Sequence, residues 1–176
     1  MRTTQVVVVP WQPEWPARFE EIHAALLTAL EGLICAIEHV GSTSVPGLDA
    51  KPIIDIDIVI PDLSVFSQVR DALAALGYRH EGDLGIPGRE AFKYDEKPEL
   101  MAHHLYVCAR GAAELRRHLA LRNYLRAHPQ ERERYARVKF AAAARHPTDI
   151  DAYIEEKSAI IQEIYAKCGL GPEPKA

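Results

Sequence analysis

The sequence predicts an α+β fold: a mixed or antiparallel sheet with covering helices, followed by a C-terminal helical segment. Short apolar stretches punctuated by glycine and proline fill residues 1–110, whereas everything after Gly111 reads helical. No internal repeat, low-complexity tract or linker-like composition divides the chain. At 176 residues one core is expected, because a chain of this size buries roughly 70% of the surface it exposes when unfolded. We therefore expect a single domain over 1–176, with an α/β core at 1–110, a helical part at 111–169 and a flexible tail at 170–176.

Each element has its own signal. Gln5 to Val9 reads as an edge strand, and PWQPEWP then leads into a helix. Pro16 suits the first helical turn, and Phe19, Ile22, Leu26, Leu27 and Leu30 recur at helical spacing up to Gly32. Leu33 to Val40 is a short strand, and Pro52 to Ile60 an isoleucine-rich one. Asp62 or Ser64 can cap the next helix, whose Val65, Phe66, Val69, Leu73 and Leu76 form one face before Gly77. Weaker strands follow at Tyr78 to Glu81, Glu90 to Tyr94 and His103 to Cys108. His128-Pro129 and His146-Pro147 then split the remainder into three helices, because a residue before proline avoids helical geometry. Thr148 is the expected cap of the last helix, with Ile150, Tyr153, Ile154, Ile161, Ile164 and Tyr165 as its buried stripe.

Composition narrows the function classes. A hydrophobic fraction of 48% with 26% charged residues is ordinary for a soluble protein. No apolar run approaches the roughly 20 residues of a membrane helix, and the start resembles no secretory signal, so a cytoplasmic protein without a membrane partner is expected. Cys35, Cys108 and Cys168 lack the spacing of a disulfide framework or zinc site. Net charge is −4, yet Arg110 to His146 holds ten Lys or Arg against three Glu, a basic helical segment suited to a polyanion or to solvation of exposed faces. Those helices lack an interleaved aromatic pattern, which favours a small molecule over nucleic acid as partner.

The chemistry centres on HVGSTSVPGLDAKPIIDIDIVI, His39 to Ile60. Residues i and i+2 of a strand share a face, so Asp55 and Asp57 project together. Two carboxylates that close, in a low-dielectric cleft, keep a proton or capture a cation. Magnesium suits them, since it binds through one or two carboxylates and takes further ligands from substrate phosphates. Alone, such a pair more often marks a solvated edge. Upstream, however, Gly41 lets backbone approach a ligand, and Ser42 and Thr43 add hydroxyls that can hold phosphate oxygens. Lys51, just before the strand, can neutralise phosphate charge or simply sit exposed.

A Gly-Ser turn followed by Asp-x-Asp on the next strand resembles the nucleotidyltransferase superfamily. More closely, GST-x-VPGL-x-x-KPIID resembles the GrpB family, and VPWQPEWPARFEEI, HHLYV, LRNYLRAHPQERERYARVK and DIDAYIEEKSAII extend the likeness over nearly the whole chain. The resemblance implies a nucleotidyltransferase-like fold with a catalytic site at Asp55 and Asp57, Mg2+ or Mn2+ as cofactor, and a nucleoside triphosphate and small-molecule acceptor as partners. GrpB-like domains also occur fused to dephospho-CoA kinase, a link to nucleotide-related work.

Nucleotidyltransferases usually place a third carboxylate on a neighbouring strand. Here the best downstream strand carries HHLYV instead. If Leu105 and Val107 face the core, His104 and Tyr106 face the aspartates, making His104 a candidate metal ligand or general base. His39 beside the turn is a further candidate ligand, and a mixed His and Asp site would suit other divalent metals as well. Glu38, Glu90 and Asp95 are alternative third acids. Arg122, Tyr124, Arg126, Lys139 and Lys157 match recurrent GrpB spacings as triphosphate contacts, with Tyr135–Lys139 and Tyr153–Lys157 stacked at i, i+4. The leading expectation is a metal-dependent nucleotidyltransferase; a noncatalytic nucleotide-binding or interaction module and a His/Asp transition-metal phosphohydrolase are its rivals.

Overall fold

A computed structural model describes residues 5–171. Alternation in the isoleucine-rich segment decides the layering. Strand β2 (Ile54–Ile60) sends Ile54, Ile56, Ile58 and Ile60 to one face, all fully buried, and Asp55, Asp57 and Val59 to the other. A slip of one residue would push both carboxylates into the apolar layer, so the register is strongly specified. Antiparallel β1 (Ala36–Val40) flanks β2 on one side and parallel β5 (His103–Ala109) on the other. Beyond β5 lie β4 (Arg89–Lys93) and β3 (Arg79–Gly82), each antiparallel to its neighbour, giving the order β1-β2-β5-β4-β3. This is the mixed sheet expected.

The isoleucine face is covered by α1 (Trp15–Leu30) and α2 (Phe66–Ala75). Phe19, Ile22, Leu26 and Leu30 of α1 and Val69 and Leu73 of α2 meet the isoleucines, Leu105 and Val107 in one core. Each such side chain contributes about 1.5–3 kcal/mol on burial. Ahead of α2, Asp62 caps a short 3-10 turn by accepting the Ser64 amide at 2.8 Å.

The aspartate face is only partly covered, by the helical part. α3 (Ala113–Ala127), α4 (Pro129–Arg145) and α5 (Ile150–Lys167) pack on one another around Leu125, Tyr135, Ile160 and Ile164. Leu115 of α3 meets Val59 and Cys108 of the sheet. Pro129 opens α4, where a missing N–H costs nothing.

Three local expectations are corrected. Gln5 to Val9 forms no strand: Val9 makes a single bridge with Ala50, while the Val6 amide donates to the Pro147 carbonyl. The segment is shared between two layers, and Pro10 cannot continue a ladder. β1 begins at Ala36 because the Leu33 amide still closes the α1 terminus on Leu30. Asp149, not Thr148, caps α5, accepting the Ala152 amide at 3.0 Å. On α5, Ile160 is buried and Ile154 is 49% exposed, at the rim of a cavity that Asp55 and Lys157 also line. Residues 172–176 of the expected tail lie outside the described residues. Among those described, no helix is long and apolar enough to cross a membrane.

Candidate functional site

Strand pairing brings the aspartates to β5. Asp55 is registered with His104 and Asp57 with Tyr106, so all four share the face opposite the isoleucines. The His104 Nδ1–H donates to Asp55 Oδ1 at 2.8 Å. A carboxylate can only accept, which fixes that proton on Nδ1. Burial acts to raise the Asp55 pKa, but the His104 bond, with the Lys157 and His118 charges, holds it below the usual carboxylate value.

Asp57 is placed differently. It is 0% exposed, and its Oδ2 accepts from His118 Nδ1 on α3 at 2.7 Å. His118 Nε2 lies 3.3 Å from Glu114 Oε1, one turn earlier. Both ring nitrogens thus point N–H groups at carboxylates, which requires the imidazolium. Burial opposes that charge, but Asp57 and Glu114 overcome it and lift the His118 pKa from 6.5 to about 10. The other oxygen of Asp57, Oδ1, is buried without a hydrogen-bond partner among the described residues. Neither His118 nor Glu114 was singled out from sequence; the available signal was a Glu and a His at i, i+4 on one helix face.

The turn after β1 is shaped around Asp55. Gly41 has φ +69° and ψ −173°, a region essentially reserved for glycine, and a Cβ there would collide with the Asp55 carboxylate, lying 2.8 Å from its Cγ. Ser42–Ser44 then forms a 3-10 turn, closed where the Ser44 hydroxyl donates to the Gly41 carbonyl at 2.6 Å. The Thr43 hydroxyl is consumed internally, donating to the Ile53 carbonyl at 3.3 Å and contacting His39 Nε2 at 3.0 Å.

A cavity of about 220 Å³ opens above this floor. Asp55, His104 and Tyr106 line it from the sheet, Ser42 and Thr43 from the turn, and Lys51, Lys139 and Lys157 supply its cations. Lys139 is 1% exposed; its Nζ donates to Ser42 Oγ at 2.9 Å and to the Asp49 carbonyl, and sits 4.6 Å from the Tyr135 ring centroid. Burial, then repulsion from Lys157, carries its pKa well below the normal lysine value. The same two causes lower Lys51. Lys51 and Lys157 flank the Tyr153 ring at 5.7 and 5.1 Å from its centroid. Such a wall is ready for a polyanion, whose charge would relieve its self-repulsion.

The remaining expected residues divide. His39 is opposite Ile56 in the β1–β2 register, hence on the isoleucine face, where it stacks on Phe19 at 4.6 Å and burial lowers its pKa to about 4. It is not brought to the aspartates. Arg122 Nη1 donates to Glu38 at 2.7 Å and to the His39 carbonyl at 3.0 Å, and Arg126 donates to the Ser44 carbonyl, so both brace β1 and the turn and neither lines the cavity. Tyr124 stacks on His128 at 4.0 Å. Of the alternative third acids, Glu38 shares the aspartates' face but is held by Arg122, Glu90 pairs with His80 on the opposite face, and Asp95 pairs with Arg79 in solvent. His104 therefore stands beside Asp55 where a third carboxylate was sought.

Comparison with known proteins gives the family and the fold. The UPF0157 protein YqkA of Bacillus subtilis is 36% identical over 158 residues, 90% of this chain and 46% of its own length. The UPF0157 protein PA4798 of Pseudomonas aeruginosa is 37% identical, covering 93% of this chain and 67% of that protein. A dephospho-CoA kinase of Mycolicibacterium paratuberculosis is 29% identical over 92% of this chain and 46% of its own. The chain thus spans about half the length of two of these relatives. The crystal structure of GrpB from Enterococcus faecalis superposes with a TM-score of 0.79 at 34% identity, covering 93% of this chain and 99% of that one. At the level of fold alone, the GLD-2/RNP-8 complex matches with a TM-score of 0.60 and 14% identity over 93% of this chain and 63% of that one. Cid1 in complex with the UTP analogue UMPNPP matches with a TM-score of 0.54 and 10% identity over 79% and 43%. The sheet and its helices are thus those of a nucleotidyltransferase-like fold. The GrpB protein family matches residues 5–167, and the chain belongs to that family.

Proposed function

We propose that the cavity above Asp55 binds a nucleoside triphosphate, and that the protein transfers its nucleotidyl group to an acceptor with the help of magnesium or manganese. One observation carries this reading: a single cavity is floored by Asp55, rimmed by Ser42 and Thr43 of the turn that follows Gly41, and walled by Lys51, Lys139 and Lys157. Acid at the floor and cations in the wall are what a metal–triphosphate complex requires.

The donor set fits such a metal. Asp57 Oδ1 is an orphaned buried acceptor, and Asp55 turns its second oxygen towards the Gly41 backbone with no Cβ in the way. Asp55 and Asp57 would hold the ion, with phosphate and water completing its shell. When bound, it would supply stabilisation of negative charge on the transferring phosphoryl group. The protein's own groups do the rest. His104 orients Asp55, the lysines draw the triphosphate tail away from the sheet, and the Ser42 hydroxyl, already bonded to Lys139, offers a polar contact beside it.

A second reading, a noncatalytic nucleotide-binding module, rests on a specific observation. Asp57 is already paired with His118 and does not line the cavity, and among the described residues no three His, Cys, Asp or Glu converge in the manner of a metal cage. The third, a transition-metal phosphohydrolase using His39, has no support from the sheet register. Pyrophosphate release from each nucleoside triphosphate, measured beside nucleotide affinity, separates the two. Release that is abolished by Asp55→Asn supports transfer; micromolar affinity without release in the wild type supports the binding module.

A further inference from the structure

The helical part leaves the β5–β4–β3 half of the aspartate face open, and a second cavity of about 450 Å³ occupies it. His104 and Tyr106 line both this groove and the lysine-walled cavity, so the two spaces meet over the Asp55–His104 contact. Away from that junction the groove is bounded by Glu81, Leu84, Ala91, Lys93 and Tyr94. Its volume lies within the range that holds a small ligand.

We propose that this groove is the acceptor site, and that the acceptor is a neutral or zwitterionic small molecule with a partly apolar body and a free hydroxyl or amine, rather than RNA. Deepening the transfer reading above, the assignment rests on charge. The first cavity sets Lys51 and Lys157, beside the buried Lys139, against one aspartate. Among the described residues the one Lys or Arg lining the groove is Lys93, whose Nζ lies 2.8 Å from Glu81 Oε1, so the lining is neutral. Binding a nucleic-acid strand depends on a track of unpaired cations along its phosphates, and the groove has none among the described residues. Arg89, which faces the same side, is stacked 4.3 Å over the Tyr106 ring. Leu84, 59% exposed and held at φ +51°, and Ala91 give apolar surface, while the Lys93–Glu81 pair can exchange its internal contact for an ammonium and carboxylate from the ligand. In the reaction the acceptor's oxygen or nitrogen forms a bond to the α-phosphorus, the bond to the β-bridging oxygen breaks, pyrophosphate leaves, and the acceptor's proton passes to solvent.

The test is two-dimensional NMR of the whole chain, with ATP and Mg2+ as the cavity probe and a panel of amino acids, glycerol and a short oligouridylate as groove probes. We expect an amino acid or polyol to shift resonances of Leu84, Ala91 and Lys93, with at least tenfold weaker binding in Leu84→Arg and in Glu81→Gln, and with the ATP shifts near Lys51 and Lys157 changed less than twofold in affinity. Oligouridylate shifting the groove, or no small probe shifting it while ATP still shifts the cavity, overturns the acceptor assignment and leaves nucleotide binding intact. Absent ATP shifts overturn the transfer reading, and the groove is still decided by its own probes.

Discussion

Replacing His118 by leucine removes the one cation in contact with Asp57 among the described residues while roughly keeping side-chain volume. The carboxylate stays 0% exposed, with Oδ2 stripped of its 2.7 Å bond and Oδ1 already without a partner. Breaking a buried ion pair from one side costs about 3–5 kcal/mol, because a charge is left buried and uncompensated. At about 2–4 °C per kcal/mol for a chain of this size, the melting temperature should fall by about 6–20 °C. Adding Asp57→Asn to His118→Leu removes the stranded Asp57 charge, while Glu114 keeps the nearby Arg89 and Arg117 charges, so the double variant should lose only the roughly 1–3 kcal/mol of an unsatisfied polar group. Urea unfolding of wild type, both single variants and the double variant measures the cycle. Magnesium adds a second readout: if Asp57 can take a metal, millimolar Mg2+ should restore part of the stability of His118→Leu and none of that of the double variant. A His118→Leu loss below about 1 kcal/mol would refute the reasoning, since the burial of Asp57 would then demand no cation.

Other expectations follow from the same geometry. Gly41→Ala should cost about 1–3 kcal/mol for the backbone region alone, with more from the clash against Asp55, and should weaken nucleotide binding at least tenfold; chemical denaturation and a fluorescent-nucleotide titration check both. Lys139→Met replaces a buried lysine whose charge is disfavoured, so stability should change by less than about 1.5 kcal/mol in either direction while triphosphate affinity falls, which calorimetry reads directly. His103, bonded to Tyr78 at 2.8 Å and 4% exposed, has its pKa lowered by burial to about 4, so the unfolded chain binds its proton first as acid is added. Stability should therefore be complete above about pH 6.5 and fall by up to about 3 kcal/mol on going down to pH 4, a slope that His103→Gln should flatten in urea titrations.

What could be read from the chain was what depends on period. The two-residue repeat of β2 put Asp55 and Asp57 on one face without knowledge of any neighbour, and the same parity argument carried His104 and Tyr106 to that face once Leu105 and Val107 were assigned to the core. His39 shows the limit. Its position depends on β1–β2 register, and adjacency to the Gly41 turn suggested the site although pairing with Ile56 sends the ring to Phe19. His118 lies 61 residues from Asp57 on a helix whose docking angle no local pattern specifies. Arg122 and Arg126, expected as triphosphate contacts, instead brace β1 and the turn, because arginine's fork satisfies carbonyls as readily as phosphates.

The two aspartates are equivalent in sequence and inequivalent in the fold, and that difference bears on how the site can work. Asp55 keeps about a third of its side chain exposed and leans on a histidine through one oxygen, leaving the other beside backbone that has no side chain. Asp57 is closed under α3 against the His118 imidazolium, which it shares with Glu114, so the cation nearest the pair is bonded to Asp57 and not to Asp55. Two unpaired carboxylates would have to keep a proton or take up a cation; here His118 relieves Asp57, and Asp55 is the carboxylate left to attract a cation into the lysine-walled cavity. If metal and triphosphate bind as proposed, each should strengthen the other by supplying charge of opposite sign, so triphosphate affinity should rise with Mg2+ in a calorimetric titration.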